Sequence, residues 1–277
     1  MSEMEVIYLN HASKQMNKDP HVMAIGFFDG VHLGHQELLN HARSLAFENK
    51  VLFTALTFSP HPDEVIKGEI DREYLTPLPQ KIEKMASLGV EKLFVMTFDK
   101  SFASLAPIDF IKEYIVGKNI KHVVVGFDFT FGYKAQGDTK LLQEHSNNGK
   151  YGLSIIPKKM YMDEKISSTL LRKLIGDGEV GMVPYYLGEN HQVKVKTRYI
   201  KAGKRMTVQA MSDYILPKPG RYHVKIVDGD KTTYGEFVRC ANAELDNEII
   251  MSELQSLHQE LTIVFLNKVL EDNIISI

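Results

Sequence analysis

The sequence predicts an α/β protein, a parallel sheet covered by helices on both faces, followed by a small antiparallel β-barrel or sandwich. Three observations carry that prediction. Over the first two-thirds of the chain, short runs that are apolar throughout alternate with helical patterns, as in strands buried on both faces. Near Tyr185–Asn190 the character changes to short segments of alternating polarity divided by turn residues. The 277 residues are enough for two cores, and the boundary is drawn between residues 187 and 188.

The elements follow in order. "HVMAIGFF" (His21–Phe28) is a buried strand, and "GHQELLNHARSLAFENK" sets Leu38, Leu39, Ala42, Leu45 and Ala46 at helical spacing. "VLFTALTF" (Val51–Phe58) is a second strand. "QKIEKMASLG" is a helix closed by Gly89, the residue best suited to a left-handed cap. "KLFVMTF" is a strand, and "PIDFIKEYIVGK" a helix with Pro107 in its first turn, where the missing N–H is not needed. "HVVVGFDF" is a strand, "TKLLQEHSNNG" a helix, and "YGLSIIP" a further strand. The second region reads "HQVKVKTRYI", "KRMTVQAM", "GRYHVKIVDG" and "KTTYGEFVRC", with a mixed strand–helix tail, "SELQSLHQELTIVFLNKVLEDN".

Composition excludes several classes. An apolar share of 44%, a charged share of 25% and a formal charge of −2 are those of an ordinary soluble protein and give no global pull toward nucleic acid or anionic lipid. Cys240 is the only cysteine, so neither an internal disulfide nor a cysteine zinc site is available, as suits a reducing compartment. No signal-peptide core is seen, and no run reaches the roughly 18 apolar residues of a membrane helix. The expectation is a cytoplasmic protein whose partners are small molecules, without membrane or nucleic acid.

The motifs fall where strands end. In "GFFDGVHLGHQELL" (Gly26–Leu39), His32 and His35 flank Leu33 and Gly34 just before a helix. A helix N-terminus offers unpaired N–H groups and partial positive charge, so it receives anions. Gly30 and Gly34 let backbone approach a phosphate, and two imidazoles there can donate to its oxygens. The alternative is a pair of capping histidines or a partial metal site, and the placement favours phosphate.

"KISSTLLRKLIGDG" (Lys165–Gly178) is a second candidate grip. Ser167, Ser168 and Thr169 can cap the helix that follows, and Arg172 lies near the same face. On its own the segment reads first as a well-capped surface helix with a solvated arginine. "TFSPHPDEV" (Thr57–Val65) is a proline-stiffened loop that can wall a pocket for a flat ring, although these residues alone read first as a plain proline turn. In "VVVGFDFTFGYKAQGD", Asp128 can take a ribose hydroxyl or help hold Mg²⁺, and Phe131 can stack on a ring. Phe127 and Phe129 are expected to fill the core. "KVKTRYIKAGKR" has six basic residues and no acidic one, which reads as the solvated face of an edge strand before it reads as an RNA contact. No GxxxxGK[ST] loop is present, which argues against a Walker-type ATPase.

Taken in order, GFFDGVHLGHQ, TFSPHP, VVGFDFTFG and ISSTLLRKL resemble the adenylyltransferase module of the bacterial bifunctional riboflavin kinase/FAD synthetase family, over about Val22 to Gly188. The resemblance implies a Rossmann-like nucleotidyltransferase fold and the reaction ATP + FMN → FAD + pyrophosphate with Mg²⁺. It implies catalytic roles for His32, His35, Ser168 and Arg172. It places Gly26, Phe28, Asp29 and Gly34 at ATP, together with Asp128, Ser167 and Thr169. Pro60, His61, Pro62 and Phe131 would border the flavin, and Asp128 would be the one metal contact.

The second half departs from the family pattern. "LPKPGRYHVKI" resembles the kinase module's "PxxGVY" strand, but no GFPTAN-like string follows Tyr185, so a riboflavin-kinase-like barrel without kinase activity is expected for residues 188–277. Two other readings stay open: a flavin- or nucleotide-sensing protein that does not turn over, and an adenylyltransferase with another phosphate acceptor.

Overall fold

The computed structural model describes residues 3–11, 19–69, 71–201, 205–241, 247–251 and 258–269. Contacts group it into two compact units: Met1–Arg72 with Leu78–Lys165, and Glu73–Pro77 with Ile166–Ile277.

The first unit runs β1 (Glu5–Leu9), β2 (His21–Ile25), α1 (Leu33–Asn49), β3 (Leu52–Ser59), α2 (Pro62–Ile66), α3 (Leu78–Ser87) and β4 (Lys92–Thr97). It continues with α4 (Lys100–Ala103), α5 (Pro107–Tyr114), β5 (Ile120–Gly126), α6 (Thr139–Ser146), β6 (Gly152–Ile156) and a hairpin of β7 (Met160–Tyr161) and β8 (Glu164–Lys165). Six parallel strands form one sheet in the order β1-β4-β3-β2-β5-β6.

The apolar runs are strands because both faces of this sheet are covered. Met23 and Ile25 point into one core with Leu56, Phe58, Val123 and Val125. Val22 and Ala24 point into the other, against Leu38, Leu39, Ala42 and Ala46 of α1. Gly89 follows α3 at φ +85°, the left-handed geometry expected of it. Pro107 stands in the first turn of α5. The order reverses between β2 and β5, and open α/β sheets bind ligands in the crevice beyond the strand ends at such a point.

The structure differs from the sequence reading at several places, four of which bear on the site or the barrel. β1 is an edge strand that the sequence reading passed over. The TFSPHP loop is not irregular throughout: Pro62 opens the short helix α2, and the Ser59–Pro60 peptide is cis. Phe127 does not fill the core. It is exposed, while Phe129 packs against the core as expected. The basic run is no edge strand either, as the second unit makes clear.

That unit holds α7 (Ser168–Gly176), α8 (Pro184–Leu187), β9 (Gln192–Lys201), β10 (Arg205–Ala210), β11 (Gly220–Asp228), β12 (Lys231–Arg239), β13 (Asn247–Met251) and β14 (Glu260–Lys268). The six strands close into an antiparallel barrel, β10-β13-β12-β11-β14-β9, so a barrel rather than a sandwich is formed. β9 pairs with β10 on one side and β14 on the other, which leaves its basic residues on a paired strand. Residues 202–204 of that run lie outside the described residues.

Alternate residues of each strand fill the barrel: Val193 and Val195, Met206 and Val208, Tyr222, Val224 and Ile226, Ile263 and Phe265. A side chain at Gly235 would meet the Ile250 carbonyl oxygen at 2.4 Å, so β12 tolerates only glycine there. Of the tail, the described part is strand β14. The rest of that expected strand–helix tail, residues 252–257 and 270–273, lies outside the described residues.

Candidate active site

The site forms at the carboxyl ends of β2, β3 and β5. Beyond Ile25 the chain passes through Gly26–Leu33 into α1, and this passage is locally unfavourable. Phe28 (φ 57°) and Val31 (φ 49°) both adopt the left-handed region although neither is glycine. For a β-branched residue that conformation is a true outlier, of the kind that clusters at ligand sites. Both side chains are buried, which is how the surrounding structure holds the conformation. Gly26 fits because a side chain there would lie 3.0 Å from the Phe28 ring.

His32 is the N-cap of α1, and its Nδ1 accepts the His35 backbone N–H at 3.2 Å. Because Nδ1 is an acceptor, the neutral ring carries its proton on Nε2, which is therefore the nitrogen able to donate to a ligand. The two rings stack, with centroids 3.6 Å apart and planes 13° apart, and the Phe28 ring meets His35 edge-on at 5.3 Å. A Cβ at position 34 would sit 3.2 Å from the His32 ring, so Gly34 makes room for the histidine.

Both histidines are neutral at physiological pH. Burial lowers His32 from 6.5 to about 4, with the carboxylates of Asp29 and Asp128 working against it. Burial, then the neighbouring His32 and Lys81, hold His35 well below the usual histidine value. The His35 Nδ1 is buried without a hydrogen-bond partner among the described residues. Hence the pair offers neutral N–H donors, and charge arriving on a nearby anion would be met by dipoles already in place.

An apolar cavity of about 430 Å³ opens beside the pair, lined by His35, Gly26, Phe28 and Asp128 among others. Of the residues expected at the flavin, Pro62 and Phe131 line it. Phe131 does so from within the core, 7% exposed and 5.0 Å from the Phe110 ring. His61 supports the wall from behind: its ring sits edge-on to Phe27 at 4.3 Å and its Nδ1 caps α2 by accepting the Asp63 N–H. Pro60 immediately precedes that cap.

Asp128 is paired with Lys165, Nζ to Oδ2 at 2.7 Å, and the same ammonium lies 4.5 Å from the Phe127 ring centroid. Among the described residues no group of three or more His, Cys, Asp or Glu is placed to hold a metal. One carboxylate suits a Mg²⁺ that arrives on substrate phosphates and keeps most of its other ligands there.

Ser167, Ser168, Thr169 and Arg172 belong to the second unit. Ser167 is the N-cap of α7, its hydroxyl accepting the Leu170 N–H at 3.2 Å, and Ser168 and Thr169 begin the helix. Arg172 donates from Nη1 to the Glu73 carbonyl oxygen at 2.8 Å.

Two residues escaped sequence reasoning. Lys165 carried no signal beyond its position before ISST. Lys81 did carry one: it shares a helix face with Leu78, Ile82 and Met85, where a lysine is out of place.

Strand order, a helix N-terminus at the switch point and a stacked imidazole pair beside an aromatic cavity define an α/β nucleotide-binding protein. Comparisons narrow this. The family model for FAD synthetase matches residues 14–170. A bifunctional riboflavin kinase/FMN adenylyltransferase of Listeria monocytogenes is 36% identical over 243 residues, 84% of this chain and 76% of the relative. The protein of that description from Bacillus subtilis is 36% identical over 231 residues, 80% and 73% of the two chains. A second Listeria protein, described as FAD synthetase, is 36% identical over 217 residues, 77% of this chain and 85% of its own. The crystal structure of a macrolide-efflux protein from Streptococcus pneumoniae shares the fold, with TM-score 0.85 over 96% of this chain and 91% of that one at 24% identity. The chain belongs to the FAD synthetase family.

Proposed function

We infer that the chain is an FMN adenylyltransferase. A phosphate oxygen of FMN attacks the α-phosphorus of ATP, a new phosphorus–oxygen bond joins the two nucleotides as FAD, and the bond to the β-phosphate breaks to release pyrophosphate. No covalent nucleophile from the protein is required, so catalysis is alignment and charge stabilisation. The observation that carries this reading is the stacked, neutral His32–His35 pair at the N-terminus of α1 beside the aromatic cavity.

In this reading His32 donates through Nε2 to the ATP phosphates, and His35 stands at the cavity mouth where the reacting phosphates meet. Asp29, Gly26, Phe28 and Gly34 shape the nucleotide end of the site. Were Mg²⁺ bound with the ATP phosphates, Asp128 would be the residue of this chain to hold it, and the ion would supply neutralisation of phosphate charge. Pro60, His61, Pro62 and Phe131 border the flavin. Ser167, Ser168, Thr169 and Arg172 are the phosphate-binding candidates of α7, a reading supported by the ISSTLLRKL motif, and the adenylyltransferase domain is read as extending through residue 187. The barrel, 188–277, carries no riboflavin kinase activity, a reading supported by the missing GFPTAN-like string. A cytoplasmic setting fits the lone Cys240, and among the described residues no helix is long and apolar enough to cross a membrane.

The test is product analysis with MgATP and either FMN or riboflavin. FAD from FMN alone is expected. FAD or FMN from riboflavin would overturn the kinase assignment, and flavin binding without any product would overturn the transferase assignment in favour of a sensor.

A further inference from the structure

Lys81 is 2% exposed, a charged side chain enclosed in the fold. Its Nζ donates to the Phe27 carbonyl oxygen at 2.8 Å, lies 3.4 Å from the Thr57 hydroxyl and sits 4.2 Å over the Phe27 ring. That carbonyl does not need the lysine, because the Thr57 hydroxyl already donates to it at 2.9 Å. One helical turn on, the Lys84 ammonium is 3.5 Å from the Gly30 carbonyl oxygen. Two lysines of α3 thus reach the two ends of the Phe27–Gly30 stretch, whose Phe28 and neighbouring Val31 hold left-handed backbone angles.

A buried lysine is an unfavourable choice for packing alone. Burial lowers its pKa from 10.5 to about 8, with the Asp29 carboxylate pulling the other way. Methionine at that position would fill similar space without desolvating a charge. Its positive charge is also felt inside the site, since it helps depress His35.

We propose that Lys81 is a positioning residue for adenylyl transfer, its ammonium clamping the Phe27 peptide so that the strained loop presents Asp29 and the His32–His35 pair in register with the phosphates. The proposal rests on the adenylyltransferase reading of the site. The charged or titratable groups facing Lys81 are Asp29 from the loop, His35 from α1, His61 across the Phe27 ring and Lys84 on its own helix.

The test uses the full chain with Lys81→Met and, as a neutral side chain that still donates, Lys81→Gln. Turnover, KM for ATP and FMN, melting temperature and the NMR titration of the His35 ring are measured for each. Lys81→Met is expected to lower kcat by about 10²-fold with KM for FMN within about twofold, since misplacement of reacting groups acts on the transition state. Melting temperature should hold or rise, and the His35 pKa should rise. The parent's kcat should decline above about pH 8 as Lys81 loses its proton, and both variants should lack that limb. Lys81→Gln should recover part of the lost turnover.

Turnover within about twofold of the parent in Lys81→Met would overturn the proposal. So would a loss that tracks a lowered melting temperature with an unchanged His35 titration. A parent that forms no FAD strikes the adenylyltransferase reading instead. The clamp is then judged on the His35 titration and on inorganic pyrophosphate affinity, and it fails if neither differs between parent and variant.

Discussion

The sheet unit and the barrel unit treat awkward residues in opposite ways. Every described barrel-unit residue with positive φ is a glycine: Gly178, Gly188, Gly220 and Gly229. All the described non-glycine residues with positive φ, Phe28 and Val31 among them, lie in the sheet unit. Buried polar groups divide similarly. In the barrel unit His191 meets the Ile215 carbonyl at 2.8 Å, and Asp228 holds both the ring and the backbone N–H of His258. In the sheet unit Asp29, His32 and Lys81 are buried within one neighbourhood, and the His35 Nδ1 has no hydrogen-bond partner among the described residues. One unit relaxes into its fold. The other keeps local conflicts, and those at Phe28, Val31 and His35 lie beyond the end of β2, where a ligand would resolve them.

The comparison can be broken from either side. The largest effect is expected in the barrel. Phe265 is fully buried with edge contacts to Tyr222 and Phe237, and Phe265→Ala should cost about 3–5 kcal/mol in denaturant unfolding of that unit. A cost near zero would show that the barrel core is not packed as described. Next, His35→Ala should lower kcat by about 10²–10³, roughly 2.7–4 kcal/mol of transition-state stabilisation, while KM for FMN changes little. A change confined to KM would place His35 in ground-state binding.

The third expectation concerns pH. His32 ionises near 4 when folded and near 6.5 when unfolded. Between those values the unfolded chain takes up the proton and the native ring does not. Stability should therefore fall as pH drops from about 6.5 to 4, by about 3 kcal/mol from this residue. The loss should be smaller in His32→Ala. Equal pH dependence in parent and variant would refute a buried neutral His32. The smallest effect is Ser167→Ala, about 1 kcal/mol for the lost cap of α7, read as a lower melting temperature.

Much of this architecture is legible in residue order because patterning and packing agree. "HVMAI" and "HVVVG" announce doubly covered strands, and Gly89 and Pro107 mark helix ends for steric reasons that need no tertiary context. The imidazole pair was readable because glycines and a strand end frame it. What escaped depends on distant neighbours. β1 carries a mixed burial pattern at a sheet edge, so its run lacks the fully apolar signature. Phe28 and Val31 give no local sign of left-handed geometry, since packing imposes it against their propensity. His61 is an uncommon N-cap. Phe127 stays outside the core, and the cation over its ring comes from Lys165, nearly forty positions later. Only Lys81 broke a pattern visible beforehand, as a cation on an apolar helix face.

One nitrogen of His32 has a consequence for which residues can ever stand there. Nδ1 caps the start of α1 and thereby dictates that the opposite nitrogen is the one bearing hydrogen. Serine, threonine or asparagine would start α1 as well or better, yet none projects a donor from the far side of a flat ring. Tolerance at position 32 is thus narrower than either helix initiation or ligand contact would impose separately, and two mild requirements combine into a nearly exclusive one.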